Sequence, residues 1–329
     1  MNLPPPGLMN NPGYHHMSCF SEPDNCQEKD MKEKAKAAVL ASFAADALAL
    51  GAHWIYDPVV ITKTFGRVDR LCAPPKNSYH SKKNKGEFTH YGDQSFVLLE
   101  SLAEHGSFRL QSFGAAWRRL FTNTYNGYLD KATKTTLDNL EQGKPLLEAG
   151  SRSTDLGGAA RIAPLVHWYQ DDRSQLVQYA KEQTMMTHNH PAALAGAVFL
   201  AHTVYAVLHG DHPAHAMEKA LDLGVDDLDL DIRIRSAMDA SDEDSETFIK
   251  NTGQMCAISA ALPGAIHLIL TYVDDLENAL VTNVMAGGDS SARGMAVGMI
   301  LGAHLGIEGI PQSWLKGMHQ YSRMQGLLA

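Results

Sequence analysis

Apolar residues along this chain recur mostly at intervals of three and four positions, the spacing that places them on one face of an α-helix. Alternation of apolar and polar residues is not sustained over more than a few positions, so β-strands are not predicted. The pattern therefore predicts an all-α protein. The predicted helices cover residues 31–51, 94–105, 112–122, 131–142, 159–169, 174–186, 192–209, 214–223, 257–271, 276–284 and 290–305.

The first predicted helix is rich in alanine and apolar on nearly all sides, which indicates a central helix packed closely by its neighbours. It also contains Asp46, and an unpaired carboxylate in such surroundings is strongly unfavourable. Asp46 therefore needs a partner, such as a backbone N–H group at a helix end, an arginine or a metal ion. A structural alternative is equally open, in which Asp46 bridges helices through hydrogen bonds.

Two stretches interrupt the helical pattern. Residues 1–30 are rich in proline and asparagine and poor in apolar side chains, which predicts a disordered tail before a single domain at 31–329. Residues 226–231 and 241–244 are strongly acidic. They lack the glycine and terminal glutamate of a calcium loop, so a solvated connection that caps the next helix is predicted instead.

Composition and charge exclude several classes of protein. A net charge of −9 argues against nucleic-acid binding, and the longest apolar runs fall short of the roughly 20 residues that span a bilayer. The four cysteines include no CxxC pair, which indicates free thiols in a reducing compartment. Without an apolar signal core near Met1, a cytoplasmic location is expected.

The segment at 86–95 has an unusual density of polar groups just before a predicted helix. Glu87, His90, Asp93 and Gln94 exceed what helix capping requires, although a cap alone would explain Asp93. His53, just after the first helix, is a further candidate for the wall of a cleft. These residues are predicted to carry chemistry.

Paired glycines precede two other predicted helices. Gly157 and Gly158 stand before Arg161, and Gly287 and Gly288 stand before Asp289. Glycine lets a ligand approach the backbone closely, and exposed N–H groups at a helix start favour an anion. Asp289 is alternatively a cation ligand or a plain helix cap. His188, in the turn at 187–191, is more often structural than catalytic in such a setting.

In chain order, these segments resemble the motifs of the ADP-ribosylglycohydrolase family from about residue 31 to the C-terminus. Around His53 and Asp289 the sequence is most similar to the branch that contains the J-type crystallins of cnidarian lenses. The matching segments are the opening helix at 45–47, the first metal motif at 92–95, the ADP-ribose loop at 157–164, the Thr-His turn at 187–191 and the second metal motif at 287–292.

The resemblance implies an orthogonal multi-helix bundle whose cleft holds two magnesium ions. It makes Asp93, Asp289 and Ser291 candidate metal ligands. If the protein is a hydrolase, Gln94 and Ser291 are expected to orient water, with Glu87 or His53 acting as base. At positions 94 and 291 neutral oxygens replace the family's acids, which predicts a reduced site with one Mg²⁺ or none. The residues implied to bind the ADP-ribose-like ligand are Gly157, Gly158, Arg161, His188, Gly287 and Gly288.

Three functions are compatible with the sequence. The first is hydrolysis of an ADP-ribosyl or related glycosidic bond. The second is binding of ADP-ribose or a nucleotide sugar without cleavage. The third is the structural role of a J-type crystallin in an eye lens.

Overall fold

The structure, a computed structural model, describes residue 1 and residues 23–122 and 125–329. Within these residues the regular elements are helices, and pairing of the β type is limited to the isolated bridges Ser151–His188 and Asp155–Ala257. The predicted all-α class is therefore confirmed. The helices are α1 (Pro23–Ala49), α2 (Pro58–Phe65), α3 (His90–His105), α4 (Leu110–Thr122), α5 (Lys131–Glu141), α6 (Leu146–Ala149), α7 (Gly157–Ala160), α8 (Ala163–Trp168), α9 (Arg173–Met185), α10 (Pro191–Leu208), α11 (Pro213–Asp222), α12 (Leu228–Asp239), α13 (Ser245–Thr252), α14 (Ile258–Thr271), α15 (Leu276–Met285), α16 (Ser290–Leu305), α17 (Gln312–Gly317) and α18 (Tyr321–Leu327), with a turn of 3₁₀ helix at Ile307–Gly309.

Helices α1 and α16 form the centre of the fold and are buried along most of their length. Small residues bring their backbones together. A Cβ atom built on Gly298 would lie 2.5 Å from the Ala41 carbonyl oxygen, and one on Gly302 would lie 2.7 Å from that of Ala37. As its composition predicts, the alanine-rich sequence of α1 allows α16 to pack against it at very short range.

Two boundaries differ from the prediction. Helix α1 begins at Pro23, inside the predicted tail, whereas residues 2–22 of that tail lie outside the described residues. The predicted helix at 159–169 is instead two short helices, α7 and α8, with Arg161 between them. Pro164 explains the break, because proline has no N–H group to continue the hydrogen-bond ladder toward Ala160.

The acidic stretch after residue 225 is a helix start and not the predicted connection. Asp227 caps α12 by accepting a hydrogen bond from Leu230 N at 3.0 Å, which confirms the predicted capping. Asp229 pairs with an arginine one turn on, at 2.7 Å, and Asp231 does the same at 2.9 Å. Acidic groups in a first turn also interact favourably with the helix dipole.

Helix α10 is long and apolar enough, by length and composition alone, to cross a membrane. However, 67% of it is buried inside the fold, and the core helix of a globular protein passes the same test.

Candidate active site

Asp46 is fully buried and joins three helices. It accepts hydrogen bonds from the backbone N–H of Thr89 at 2.8 Å, from the Thr89 hydroxyl at 2.5 Å and from the Ser291 hydroxyl. Burial raises the pKa of Asp46 to about 6, against the opposing effect of these hydrogen bonds. Asp46 therefore bridges helices through hydrogen bonds, as the structural alternative predicted. It connects α1 to the starts of α3 and α16.

Asp93 lies at the edge of a surface groove of ≈ 560 Å³, with its side chain 16% exposed. Its Oδ2 atom accepts hydrogen bonds from Lys83 Nζ and from the Tyr125 hydroxyl, both at 2.6 Å. Burial raises the pKa of Asp93, while the Lys83 charge acts to lower it. The ammonium group of Lys83 thus already balances the charge of this carboxylate.

Gln94 and Arg161 meet in the interior, about 1% exposed each. The Oε1 atom of Gln94 accepts from Trp117 Nε1 at 2.8 Å and from the Arg161 guanidinium. Arg161 also donates to the Thr187 hydroxyl at 2.5 Å. Burial lowers the pKa of Arg161 to about 10. In this arrangement both side chains hold α3 to the segments around residues 161 and 187.

The glycines of both pairs are in contact with other parts of the protein. Cβ atoms on Gly157 and Gly158 would lie 2.1 Å from the Tyr91 ring and 2.7 Å from the His188 ring. Gly287 and Gly288 have φ of 77° and 73°, in the left-handed region that favours glycine. Their Cβ atoms would lie 2.7 Å from the Ile55 oxygen and 2.1 Å from the Gln254 oxygen. Close protein packing thus explains all four glycines, and their ligand-binding role stays a prediction.

Asp289 is buried at the start of α16. It caps this helix by accepting from Ala292 N at 3.1 Å, and it accepts a second bond from the Tyr91 hydroxyl at 2.9 Å. Burial raises its pKa, although both hydrogen bonds act against the shift. Its Oδ1 atom lies 3.8 Å from Nδ1 of His53. Two predicted site residues that are far apart in sequence are therefore neighbours.

His53 belongs to a cluster of three buried histidines with His80 and His90, named here the histidine cluster. One ring nitrogen from each lies within 4.8 Å of those of the other two. Nε2 of His80 is 3.1 Å from Nδ1 of His90. Among the described residues, neither ring nitrogen of His53 has a hydrogen-bond partner. Burial, followed by the charge of His90, holds the pKa of His53 well below its ordinary value, so its imidazole is neutral.

Three aromatic rings cover the histidine cluster. Trp54 stacks on His53 with ring centroids 4.5 Å apart, and it meets Tyr79 and Tyr128 edge-on at 5.1 and 5.2 Å. Tyr79 is 63% exposed, so this aromatic cover is at the surface. The φ of Trp54 is 65°, a left-handed conformation that is strained for a bulky residue. Such strain often accompanies functional sites.

The remaining predicted residues lie elsewhere. The Glu87 carboxylate closes its own turn by accepting from Asn84 at the backbone N–H and the side-chain amide. His188 is buried beside Thr187, with Nδ1 2.9 Å from its hydroxyl oxygen, and burial lowers its pKa to about 4. The Ser291 hydroxyl donates to Asp46 and lies 3.0 Å from the Thr89 hydroxyl oxygen.

Sequence reasoning missed His80, Tyr91 and Asp130 as members of this region. Tyr91 donates to Asp289, and Asp130 Oδ2 lies 3.4 Å from His90 Nε2. His80 lies in a loop without helical periodicity, so no local pattern marks it. The density of polar residues around the start of α3 was the one available signal for this region.

The magnesium ions that the resemblance implies require free carboxylate oxygens. Both candidate carboxylates already accept hydrogen bonds from protein donors: Oδ2 of Asp93 accepts from Lys83 and Tyr125, and Asp289 accepts from Tyr91 and a backbone N–H. The Ser291 hydroxyl already donates a hydrogen bond to Asp46. The residues as arranged do not fit a two-magnesium site.

Comparison with known proteins places this chain in a family. The sequence model of the ADP-ribosylglycohydrolase family matches residues 27–329. Crystallin J1A of Tripedalia cystophora is 26% identical over 305 residues, covering 86% of this chain and 91% of the crystallin. Bovine ADP-ribosylhydrolase ARH3 is 24% identical over 203 residues, covering 52% of this chain and 55% of the relative.

A solved structure described as an ADP-ribosylglycohydrolase-related protein complex has the same fold. It superposes with a TM-score of 0.70 at 23% sequence identity and covers 91% of this chain and 97% of its own. The predicted helical bundle of this type is thereby confirmed. The family match over nearly the whole described chain shows that the protein belongs to the ADP-ribosylglycohydrolase family.

Proposed function

We propose that this protein hydrolyses the glycosidic bond of an ADP-ribosyl group or a related nucleotide sugar. Family membership and the names of the ADP-ribosylhydrolase relatives support the reaction class. The observation that carries the proposal is the position of Asp289, a buried carboxyl group with a raised pKa, beside His53 of the histidine cluster.

Glycosidic hydrolysis needs a proton for the leaving group and an activated water molecule. A carboxyl group with a raised pKa is suited to give that proton at neutral pH. We assign this role to Asp289, whose orientation is set by the Tyr91 hydroxyl and the Ala292 backbone N–H. The histidine cluster, 3.8 Å away through His53, is assigned to the activation of water.

The aromatic cover supports a ligand that contains flat rings. Nucleobases stack well on aromatic side chains. Trp54 stacks on His53, and Tyr79 and Tyr128 pack edge-on against Trp54, so three such rings lie over the histidine cluster. In this structure the side chains of His53 and Asp289 are fully covered. Substrate entry therefore requires these rings to move apart, and the segment around Trp54 is the expected site of that movement.

Replacing Asp289 with asparagine tests the proposal. We expect wild-type protein to release ADP-ribose from at least one of a panel of N- and O-linked ADP-ribosyl substrates. Asp289→Asn keeps the shape of the side chain but cannot donate the proton, so turnover should fall about 10²-fold or more. Product is measured by chromatography, with magnesium and with chelator in parallel.

The matched control is Asp172→Asn, which changes an exposed helix-capping aspartate far from the histidine cluster in sequence. It should retain wild-type turnover. Equal turnover in the Asp289→Asn variant would remove Asp289 from the reaction. Binding of ADP-ribose by calorimetry without turnover of any substrate would replace hydrolysis with simple binding.

A structural role as a J-type crystallin is the second candidate, because Crystallin J1A matches 91% of its length to this chain. In that case neither turnover nor ADP-ribose binding would be found. Asp289→Asn would then alter only the melting temperature.

A further inference from the structure

The histidine cluster draws its members from three separate segments. His53 follows the end of α1, His80 lies in the loop between α2 and α3, and His90 is the first residue of α3. All three side chains are buried, with residue exposures of 3%, 2% and 0%. Three convergent imidazoles in the interior are expensive to maintain unless something satisfies their ring nitrogens.

The spacing of the nitrogens is close to that of a metal site. Nitrogens bound to one tetrahedral zinc ion are about 3.3 Å apart, given zinc–nitrogen distances of about 2.0–2.1 Å. His80 Nε2 and His90 Nδ1 are 3.1 Å apart, and one ring nitrogen from each of the three histidines lies within 4.8 Å of those of the other two. A shift of the His53 ring by up to about 1.5 Å would bring the three nitrogens to this zinc spacing.

An acidic residue orients one of these rings from outside. Asp130 Oδ2 lies 3.4 Å from Nε2 of His90, the nitrogen that faces away from His80. Metal-binding histidines commonly place their second nitrogen against a carboxylate, which fixes the ring and its tautomer.

The state of His53 is independent evidence for a ligand. Its side chain is fully buried, and across the described part of the chain both of its ring nitrogens lack hydrogen bonds. A buried polar group left unsatisfied costs about 1–3 kcal/mol, so such groups usually mark a bound ion, a water molecule or a functional role.

We infer that His53, His80 and His90 form a site for one divalent transition-metal ion, most suitably Zn²⁺, with Asp130 orienting His90 from the outer shell. Imidazole nitrogens suit zinc and its neighbours, whereas magnesium prefers oxygen. Three protein ligands leave a fourth position for water or a substrate atom. The site deepens the proposed function, on which it rests for its catalytic meaning, but metal binding itself is measured without substrate.

The test is zinc titration of the full chain after chelator treatment, in competition with a chromophoric chelator. We expect one tight equivalent per chain, with a dissociation constant below about 1 µM, and a visible absorption spectrum typical of low coordination when Co²⁺ replaces zinc. The chain contains 16 histidines, so stoichiometry alone does not locate the ion. Variants must do so.

His80→Gln should weaken zinc binding at least 100-fold and remove the cobalt spectrum. The matched control His215→Gln changes an exposed histidine, 3.2 Å from Glu218, and should bind zinc as the wild type does. Asp130→Asn keeps a helix-capping side chain and should lower zinc affinity about 10- to 100-fold, the usual effect of losing an outer-shell partner. This variant decides the question if His80→Gln fails to fold.

Wild-type affinity in both His80→Gln and Asp130→Asn, or no tight equivalent in the wild type, would overturn the site. Tight zinc binding without hydrolysis of any ADP-ribosyl substrate would uphold the site and reject the proposed function. Hydrolysis that is unaffected by chelator, with zinc unbound, would uphold the proposed function and reject the site.

Discussion

Asp46→Ala is expected to lower the free energy of unfolding by about 3–5 kcal/mol, because it strands buried donors that have no water to replace their acceptor. The Thr89 backbone N–H and the Thr89 and Ser291 hydroxyls all converge on this carboxylate. Their loss would also free the starts of α3 and α16 from α1. Denaturant unfolding followed by circular dichroism measures the change.

Asp46→Asn is the matched control. Its amide oxygen can accept from Thr89 N–H, and its NH₂ group can donate to the Thr89 and Ser291 hydroxyl oxygens. We therefore expect most of the stability to return. If the alanine and asparagine variants prove equally stable, hydrogen bonding by Asp46 does not hold these helices together.

The difference in stability between the wild type and Asp46→Asn should also depend on pH. The pKa of Asp46 is about 6 in the folded protein, above the ordinary value of 3.8, so the folded state binds more protons than the unfolded state between these values. This contribution makes the free energy of unfolding fall as pH rises from about 4 to about 6. Asp46→Asn lacks the titrating group. Its stability relative to the wild type should therefore improve across this window, as measured by denaturant midpoints.

Gly298→Ala should destabilise the protein by about 2–3 kcal/mol, although alanine is the better helix former. The added Cβ would lie 2.5 Å from the Ala41 carbonyl oxygen, and α1 cannot retreat because it is packed on all sides. Thermal and denaturant unfolding measure the loss.

Gly326→Ala makes the same chemical change in α18, where the described part of the chain places no atom within 4 Å of the new Cβ. There the helix propensity should act alone and raise stability by up to about 1 kcal/mol. We therefore expect the free energy of unfolding to fall in Gly298→Ala and to rise in Gly326→Ala. Equal small gains would mean that the contact between α1 and α16 is loose.

A structural crystallin role and the proposed hydrolysis place different demands on the centre of this fold. The bridge made by Asp46 and the short contact at Gly298 serve both, because each stabilises the bundle. Asp289 is different, since a plain helix cap would not need burial beside His53, whose ring nitrogens have no hydrogen-bond partner among the described residues. The effect of Asp289→Asn on turnover therefore separates the two functions, while its effect on stability does not.

The longer helices were predictable because their information is local. A three-to-four residue spacing of apolar side chains requires only neighbours in sequence, and it located nine of the eighteen described α-helices to within four residues at either end. The prediction merged α7 and α8 across a proline, missed the helix with the acidic start, α12, and missed the short helices α2, α6, α13, α17 and α18. The need of Asp46 for a partner also followed from its apolar surroundings alone.

The identity of each partner was decided by tertiary structure. The sequence by itself determined that the chain is helical, that α1 is central, and that polar residues are concentrated near His53, before α3 and before α16. Only the fold decided that Lys83 binds Asp93, that Arg161 faces inward to Gln94, and that His80 joins His53 and His90. These contacts join segments many residues apart, and a side chain's role depends on which distant groups packing brings within a few ångströms of it.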